Sequence, residues 1–267
     1  MTPLQAIALG VIQGLSEFLP ISSSAHLTLA PWLLGWEDPG LAFDVALHFG
    51  TLLAVLWYFR MEWLALIRAA FGIVTTGRID TPEKRRVVYL IIATIPGAIG
   101  GYLLQSMAES AFRSPQIIAI ALIALGIVLW IVDRLVDQRR ILGEMRWVDA
   151  ALIGLSQVIA LIPGVSRSGS TITTARGLRF DRESAAEFSF LMSMPIIAAA
   201  VVLEGPKALH QGGLTNELMS GVVASAISGW LAISILMRYV SRHSYGIFAA
   251  YRIIFGLAVL AVVYARG

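Results

Sequence analysis

Long apolar runs dominate the chain. Six of them, at about 41–59, 87–107, 117–132, 186–203, 217–237 and 246–264, approach or reach the ~20 residues that a helix needs to cross ~30 Å of hydrocarbon. The third is short for a full crossing. Two more apolar segments, about 3–36 and 147–180, are interrupted. Each runs apolar for about a dozen residues and then meets Pro and Ser beside an ionisable side chain. The interruptions are Glu17-Phe-Leu-Pro-Ile-Ser-Ser-Ser-Ala-His26 and Pro163-Gly-Val-Ser-Arg-Ser-Gly-Ser-Thr171. A dozen helical residues cannot span, so each segment is expected to be a re-entrant pair of half-helices that enters and leaves on one side. The pattern predicts an all-α polytopic membrane protein. It has about six transmembrane helices and two re-entrant helical hairpins in a single integral membrane domain, 1–267.

The order of elements repeats. A hairpin plus three spans (about 1–132) is followed by a hairpin plus three spans (about 147–267). Three crossings are odd, so the second half is expected upside down relative to the first, an inverted-topology repeat. Phe18-Leu-Pro-Ile-Ser22 echoes Leu161-Ile-Pro-Gly-Val-Ser166. With the hairpins entering from opposite faces, residues about 145 positions apart would meet near mid-membrane. Charge gives the orientation. Six Lys and Arg in 60–86, eight in 133–185 and two in 238–245 place 16 of the 20 on one side, which the positive-inside rule assigns to the cytoplasm. Arg113, Lys207 and Arg266 fall on the other side, and Arg252 lies within a span. Both termini are then expected outside.

Composition agrees. The 267 residues are 57% hydrophobic and only 14% charged, against about 25% charged in a soluble domain. The pI near 9.4 does not point to nucleic acid, because the net charge is +3 and the basic residues flank the spans. With no cysteine, thiol catalysis and Cys-ligated metal are excluded. The first Lys or Arg is Arg60, so no cleaved signal peptide is expected.

Charge and broken helix at membrane depth are costly and mark sites. Gln13 and Glu17 lie on one face of the first half-helix, which Pro20 ends. Ser22, Ser23 and Ser24 follow, with His26 one turn after Ser23. The serines can be N-caps or reacting hydroxyls. His26 can be a structural donor, or a general base toward Ser23. In the second hairpin, Ser166, Arg167, Ser168 and Thr171 after Pro163-Gly164 form an anion nest at a helix start. Alternatively, Arg167 snorkels to the interface. Asp44, with His48 one turn on, and Glu187 are expected to support the site from neighbouring spans. Arg252 is expected to pair with an acid or reach toward phosphate. Loop 133–146 and Lys84-Arg85-Arg86 read as ordinary cytoplasmic anchors.

Together, Gln13-x-x-x-Glu17, Leu19-Pro20-x-Ser22-Ser23-x-x-His26 and Pro163-Gly-x-Ser-Arg-Ser-x-x-Thr171 resemble the undecaprenyl-diphosphate phosphatase family, also known for bacitracin resistance. Phe43-Asp-x-x-Leu-His-x-Gly-Thr51 and Glu187-Phe-Ser-Phe-Leu fit the same family. The resemblance implies a bacterial inner-membrane enzyme that removes the terminal phosphate of undecaprenyl diphosphate and regenerates a lipid carrier for peptidoglycan. It also implies a periplasm-facing site that depends on a divalent cation such as Mg²⁺ or Ca²⁺. Carried onto this chain, Gln13 and Glu17 are linked to metal or acid–base work. Ser22 and Ser23 are the serine pair, His26 the histidine and Arg167 the phosphate-binding arginine. Gln13 stands where a second Glu often occurs, which weakens a two-carboxylate metal site. The expected partners are a polyprenyl diphosphate and membrane lipids, and a homodimer is left open.

Two nucleophiles remain, Ser23 with His26 taking its proton, or His26 itself. A lipid phosphatase with a Ser-Arg-x₅-His-x₃-Asp motif is excluded, because Thr173 and Gly177 occupy the required positions. A polyprenyl-phosphate transporter or flippase fits the inverted repeat equally well. It has less use for a Ser, a His and a Glu side by side.

Overall fold

The computed structural model of the chain describes residues 1–109 and 114–266. Eleven α-helices carry the described chain: α1 (Pro3–Phe18), α2 (Ser23–Leu34), α3 (Leu41–Tyr58), α4 (Arg60–Thr76), α5 (Pro82–Glu109), α6 (Pro115–Leu135), α7 (Trp147–Ile159), α8 (Arg167–Gly177), α9 (Arg182–Gly212), α10 (Asn216–Val240) and α11 (Gly246–Arg266). Among the described residues, five stretches are long and apolar enough to cross a membrane: Pro82–Leu104, Pro115–Leu135, Arg182–Leu203, Asn216–Val240 and Gly246–Arg266. The bent pair α3 and α4 provides a sixth if it counts as one span. The surface is inside-out relative to a water-soluble fold. Ile247, Ile254 and Leu257 on α11 are more than half exposed, whereas Arg252 on the same helix is wholly buried.

Two expectations need correction. The third span is not short, because Ser114 caps the Ile117 N–H and Pro115 opens the helix, giving 21 residues to Leu135. Residues 60–86 are not simply a basic loop. Arg60–Thr76 is helical and turns 83° from α3, with Met61, Leu64, Ile67, Phe71 and Val74 exposed. An apolar stripe with arginines beside it suits a helix lying in the membrane interface. Arg113 and the side chain of Lys207, which entered the charge partition, lie outside the described residues.

The two interrupted segments fold as paired short helices. α1 stops at Phe18 and α2 starts at Ser23, and α7 stops at Ile159 and α8 starts at Arg167. The first helix of each pair packs along a long span of the other half, α1 on α10 and α7 on α5. Glycines set that closeness. A Cβ on Gly14 would sit 2.0 Å from Ser228 Oγ, and one on Gly154 would sit 2.5 Å from the Ala93 carbonyl oxygen. α3 packs on α9 and α6 on α11, so both breaks are enclosed by long helices.

At one end of the bundle, Asp133 knits four helix ends together. It accepts from Arg176 Nε at 2.9 Å, Arg182 Nε at 2.8 Å and the Tyr245 N–H at 2.9 Å. Nearby, Arg140 grips Asp149 with two bonds of 3.0 and 2.5 Å, and it lies over the Phe180 ring. Arg140, expected with the rest of loop 133–146 to be an ordinary anchor, is thus a structural tie.

Candidate active site

The two breaks are built alike. Ser22 and Ser166 are the N-caps of α2 and α8, and their hydroxyls accept from the Ala25 and Gly169 N–H groups. Both have positive φ, 80° and 75°, a conformation that non-glycine residues adopt only where surroundings impose it. In both, the cap hydroxyl lies 3.2 Å from that of the serine two residues on, Ser24 or Ser168. The first helical position after the cap is therefore Ser23 in one hairpin and Arg167 in the other. Between the matching serines Ser22 and Ser24 in one turn and Ser166 and Ser168 in the other, the middle position holds a hydroxyl in the first and a guanidinium in the second.

Glu17 joins them. Its Oε2 accepts from Ser23 Oγ at 2.6 Å and from Gln13 Nε2 at 3.0 Å, and its Oε1 takes a short hydrogen bond from Arg167 Nη2. His48 Nε2 stands 3.5 Å from Oε2, and its Nδ1 donates to the Asp44 carbonyl at 2.7 Å. Arg167 also donates to the Ser193 carbonyl at 3.4 Å. Gln13 and Glu17 are buried, so the Arg167 pair is what makes an ionised carboxylate tolerable there. Arg167 does not snorkel away. Ser168 ties the hairpins a second time, donating to the Leu19 carbonyl at 3.2 Å.

Other expected members sit differently. Both ring nitrogens of His26 are engaged, Nδ1 with the Ser22 carbonyl and Nε2 with the Tyr251 hydroxyl, each at 2.7 Å. Because the carbonyl only accepts, Nδ1 carries the proton and Nε2 accepts from Tyr251 in the neutral ring. The ring stacks on Phe255 at 4.9 Å, on the α11 side of α2. Among the described residues it makes no hydrogen bond to Ser23, Glu17 or Arg167. Thr171 bonds the Arg167 carbonyl at 2.8 Å and Ser189 Oγ at 2.7 Å, so with Ser166 and Ser168 it braces the α8 start. Glu187 is no part of this cluster or of the breaks. It pairs with Arg86 at 3.4 Å, because its position on α9 faces the basic start of α5.

Arg252 departs most from expectation. Among the described residues no carboxylate lies within ion-pair distance of it. Its guanidinium is buried and donates to four backbone carbonyls: Leu122 at 3.2 Å, Pro20 at 3.0 Å, Gly164 at 2.7 Å and Val165 at 2.9 Å. A charge in a span was legible. Its partners were not, because broken helices expose carbonyls that no side-chain pattern records.

A hard cation needs oxygen donors, and the site holds a small set of them. Gln13 Oε1 is buried with no hydrogen-bond partner, and the Nε2 of the same amide donates to the Glu17 carboxylate that Ser23 also bonds. Gln157 Oε1, its counterpart in the second hairpin, is also partnerless, but Leu161 stands where a carboxylate would be. No three His, Asp or Glu side chains converge among the described residues. The donor set thus fits a cation that shares its remaining ligands with a phosphorylated substrate.

Residues 6–258 match the family model described as bacitracin resistance protein BacA. Along its full length the chain is 58% identical to the undecaprenyl-diphosphatase of Gemmatimonas aurantiaca, covering all of that protein. The undecaprenyl-diphosphatases of Desulforudis audaxviator and Geobacter sulfurreducens are 48% and 46% identical, each aligned over all of both chains. The chain, with its Ser-capped breaks and buried Glu17, belongs to the BacA family of bacitracin resistance proteins.

Proposed function

We propose that the chain is a membrane phosphatase that hydrolyses undecaprenyl diphosphate to undecaprenyl phosphate and inorganic phosphate. This recycles the carrier lipid for peptidoglycan synthesis and underlies bacitracin resistance. The observation that carries the reading is Ser23 Oγ at 2.6 Å on Glu17, with Arg167 of the other hairpin on that carboxylate's second oxygen. A nucleophile, its base and a cationic fork meet around one buried carboxylate. Relatives of the same length carry the enzyme's name.

The chemistry is phosphoryl transfer, which asks the protein mainly to position groups and offset charge. An arriving diphosphate competes for the Arg167 fork, which suits phosphate as well as carboxylate. Glu17 is then free to take the Ser23 proton as the serine oxygen attacks the terminal phosphorus. The bond from that phosphorus to the bridging oxygen breaks, and undecaprenyl phosphate leaves with the electron pair. Glu17 passes the serine proton to the departing phosphate oxygen, and the carboxylate so regenerated takes a proton from the water that attacks phosphorus. That water displaces the Ser23 oxygen, which recovers the proton from Glu17, and inorganic phosphate is released. The N-termini of α2 and α8 both open at the breaks, adding N–H groups and positive dipole ends for the phosphates. A Mg²⁺ or Ca²⁺ held by Glu17 and Gln13 Oε1 would neutralise charge on the diphosphate oxygens. His26 as the nucleophile is the competing assignment. Peptide mapping of a trapped phosphoenzyme separates the two.

The matched packing of α1 on α10 and of α7 on α5 supports an inverted repeat of about 1–132 and 147–267. With the basic segments cytoplasmic, the protein sits in the bacterial inner membrane with both termini periplasmic, and its site opens to that side. The chain has no cysteine, so single cysteines at Thr2 and Arg266 report orientation directly. An impermeant maleimide should label both from outside, and protection of either contradicts the orientation.

The deciding assay is phosphate release from a long-chain prenyl diphosphate by the detergent-solubilised protein, with and without chelator. Wild type should release phosphate, and chelator or Arg167→Ala should abolish it. A pure transporter of prenyl phosphates, which the repeat would also suit, releases none.

A further inference from the structure

We infer that Arg252 is a positioning residue that holds the two breaks in register, so that Ser23 and Arg167 face one phosphate. The inference rests on the phosphatase reading for its catalytic consequence, but its geometry stands independently. One guanidinium reaches three separate segments: the Pro20 carbonyl in the first break, the Gly164 and Val165 carbonyls in the second, and Leu122 in α6. Pro20 lies three positions before Ser23 and Val165 two before Arg167, with the positive-φ serines between them. Fixing these carbonyls therefore fixes the turns from which both reactive side chains project.

The arrangement also sorts charge. At each break a helix ends with unsatisfied carbonyls and another begins with free N–H groups. Unopposed, the carbonyl ends would repel an incoming diphosphate. Arg252 covers the carbonyls of both breaks from the α11 side, leaving the N-termini of α2 and α8 as the exposed field. A carboxylate partner would defeat this by consuming the charge, and all four acceptors are neutral.

The packing is arranged around this side chain. Gly126 lets α6 come close, since a Cβ there would lie 3.1 Å from Arg252 Cβ. Gly169 on α8 leaves room for the guanidinium, since a Cβ there would lie 2.7 Å from Arg252 Nη1. Lysine cannot replace the fork, because one ammonium has no planar spread of donors to bridge three segments.

The test compares wild type, Arg252→Lys and Gly126→Ala, the last pressing on the Arg252 side chain from α6 without touching either serine cap. Misplacement of this order costs about 100-fold in turnover. In correctly folded protein of unchanged helix content, both variants should lose about 100-fold in kcat with little change in KM, because the prenyl tail still binds. Spin labels on Leu34→Cys and Gly177→Cys, at the exposed far ends of α2 and α8, should show a broader distance distribution with Arg252→Lys. If Arg252→Lys fails to fold, Gly126→Ala decides, with a lowered kcat supporting the inference and a parental kcat overturning it. A folded Arg252→Lys enzyme with parental kcat per active site, or with an unchanged distance distribution, also overturns it. Broadened distances in a protein whose wild type releases no phosphate would sink the phosphatase reading and leave the positioning role standing.

Discussion

Ser22 and Ser23 are adjacent and chemically identical, yet the fold gives them separate work. Ser22 is buried, has positive φ and caps α2, whereas Ser23 aims its hydroxyl at Glu17. Ser22→Ala should cost about 1 kcal/mol of stability, the usual loss of an N-cap, read as a lower melting temperature in detergent. Ser23→Ala should leave melting nearly unchanged and lower phosphate release by roughly 1,000-fold or more. If Ser23→Ala keeps its turnover, His26 becomes the better nucleophile. Glu17, Gln13, Ser23 and Arg167 were legible in the sequence because ionisable and amide groups stand out in apolar surroundings. The role of His26 was less so. Its spacing from Ser23 suggested a partner one turn away, but the ring is held by Tyr251 from a helix more than 200 residues later. His48 came closer to Glu17 than sequence spacing indicated, because α3 folds back beside α1.

The hairpins could be read from segment length, since a dozen apolar residues before a Pro leave no other way to satisfy backbone groups in lipid. Helix α4 could not. Its apolar residues are interleaved with Arg60 and Arg68 and continue the run of α3 with no Pro or Gly between them, so the 83° turn after Tyr58 was not legible. The contact of α1 with α10 was also invisible, because close approach depends on Gly14 meeting Ser225 and Ser228 in a distant helix. A Cβ on Gly14 would lie 2.0 Å from Ser228 Oγ and 2.5 Å from the Ser225 carbonyl oxygen. Gly14→Ala should therefore destabilise by about 1–3 kcal/mol despite alanine's better helix propensity. Gly101→Ala, on α5 with nothing within 4 Å of its Cβ position, should be neutral or slightly stabilising. Thermal unfolding of the two variants in the same detergent checks the contrast. Equal effects would mean that α1 does not lie against α10 as described.

Across the bundle, the Asp133 and Glu17 clusters both hold apolar helices together, and they differ in purpose. The Asp133 cluster joins the ends of α6, α8, α9 and α11 and touches none of the reactive side chains. Asp133→Asn leaves Arg176 and Arg182 without their counter-charge. It should cost about 3–5 kcal/mol, with KM unchanged in the fraction that stays folded. The Glu17 cluster joins the hairpins at their breaks, so its integrity should register in turnover. The most direct measurement of that claim is a double-mutant cycle on kcat for phosphate release, using Glu17→Gln, Arg167→Lys and the pair together. If the two hairpins form one catalytic unit, each single variant loses most of the activity and the double variant is scarcely worse than the poorer single. Losses that multiply independently would show that Glu17 and Arg167 do not act together, and would contradict the account.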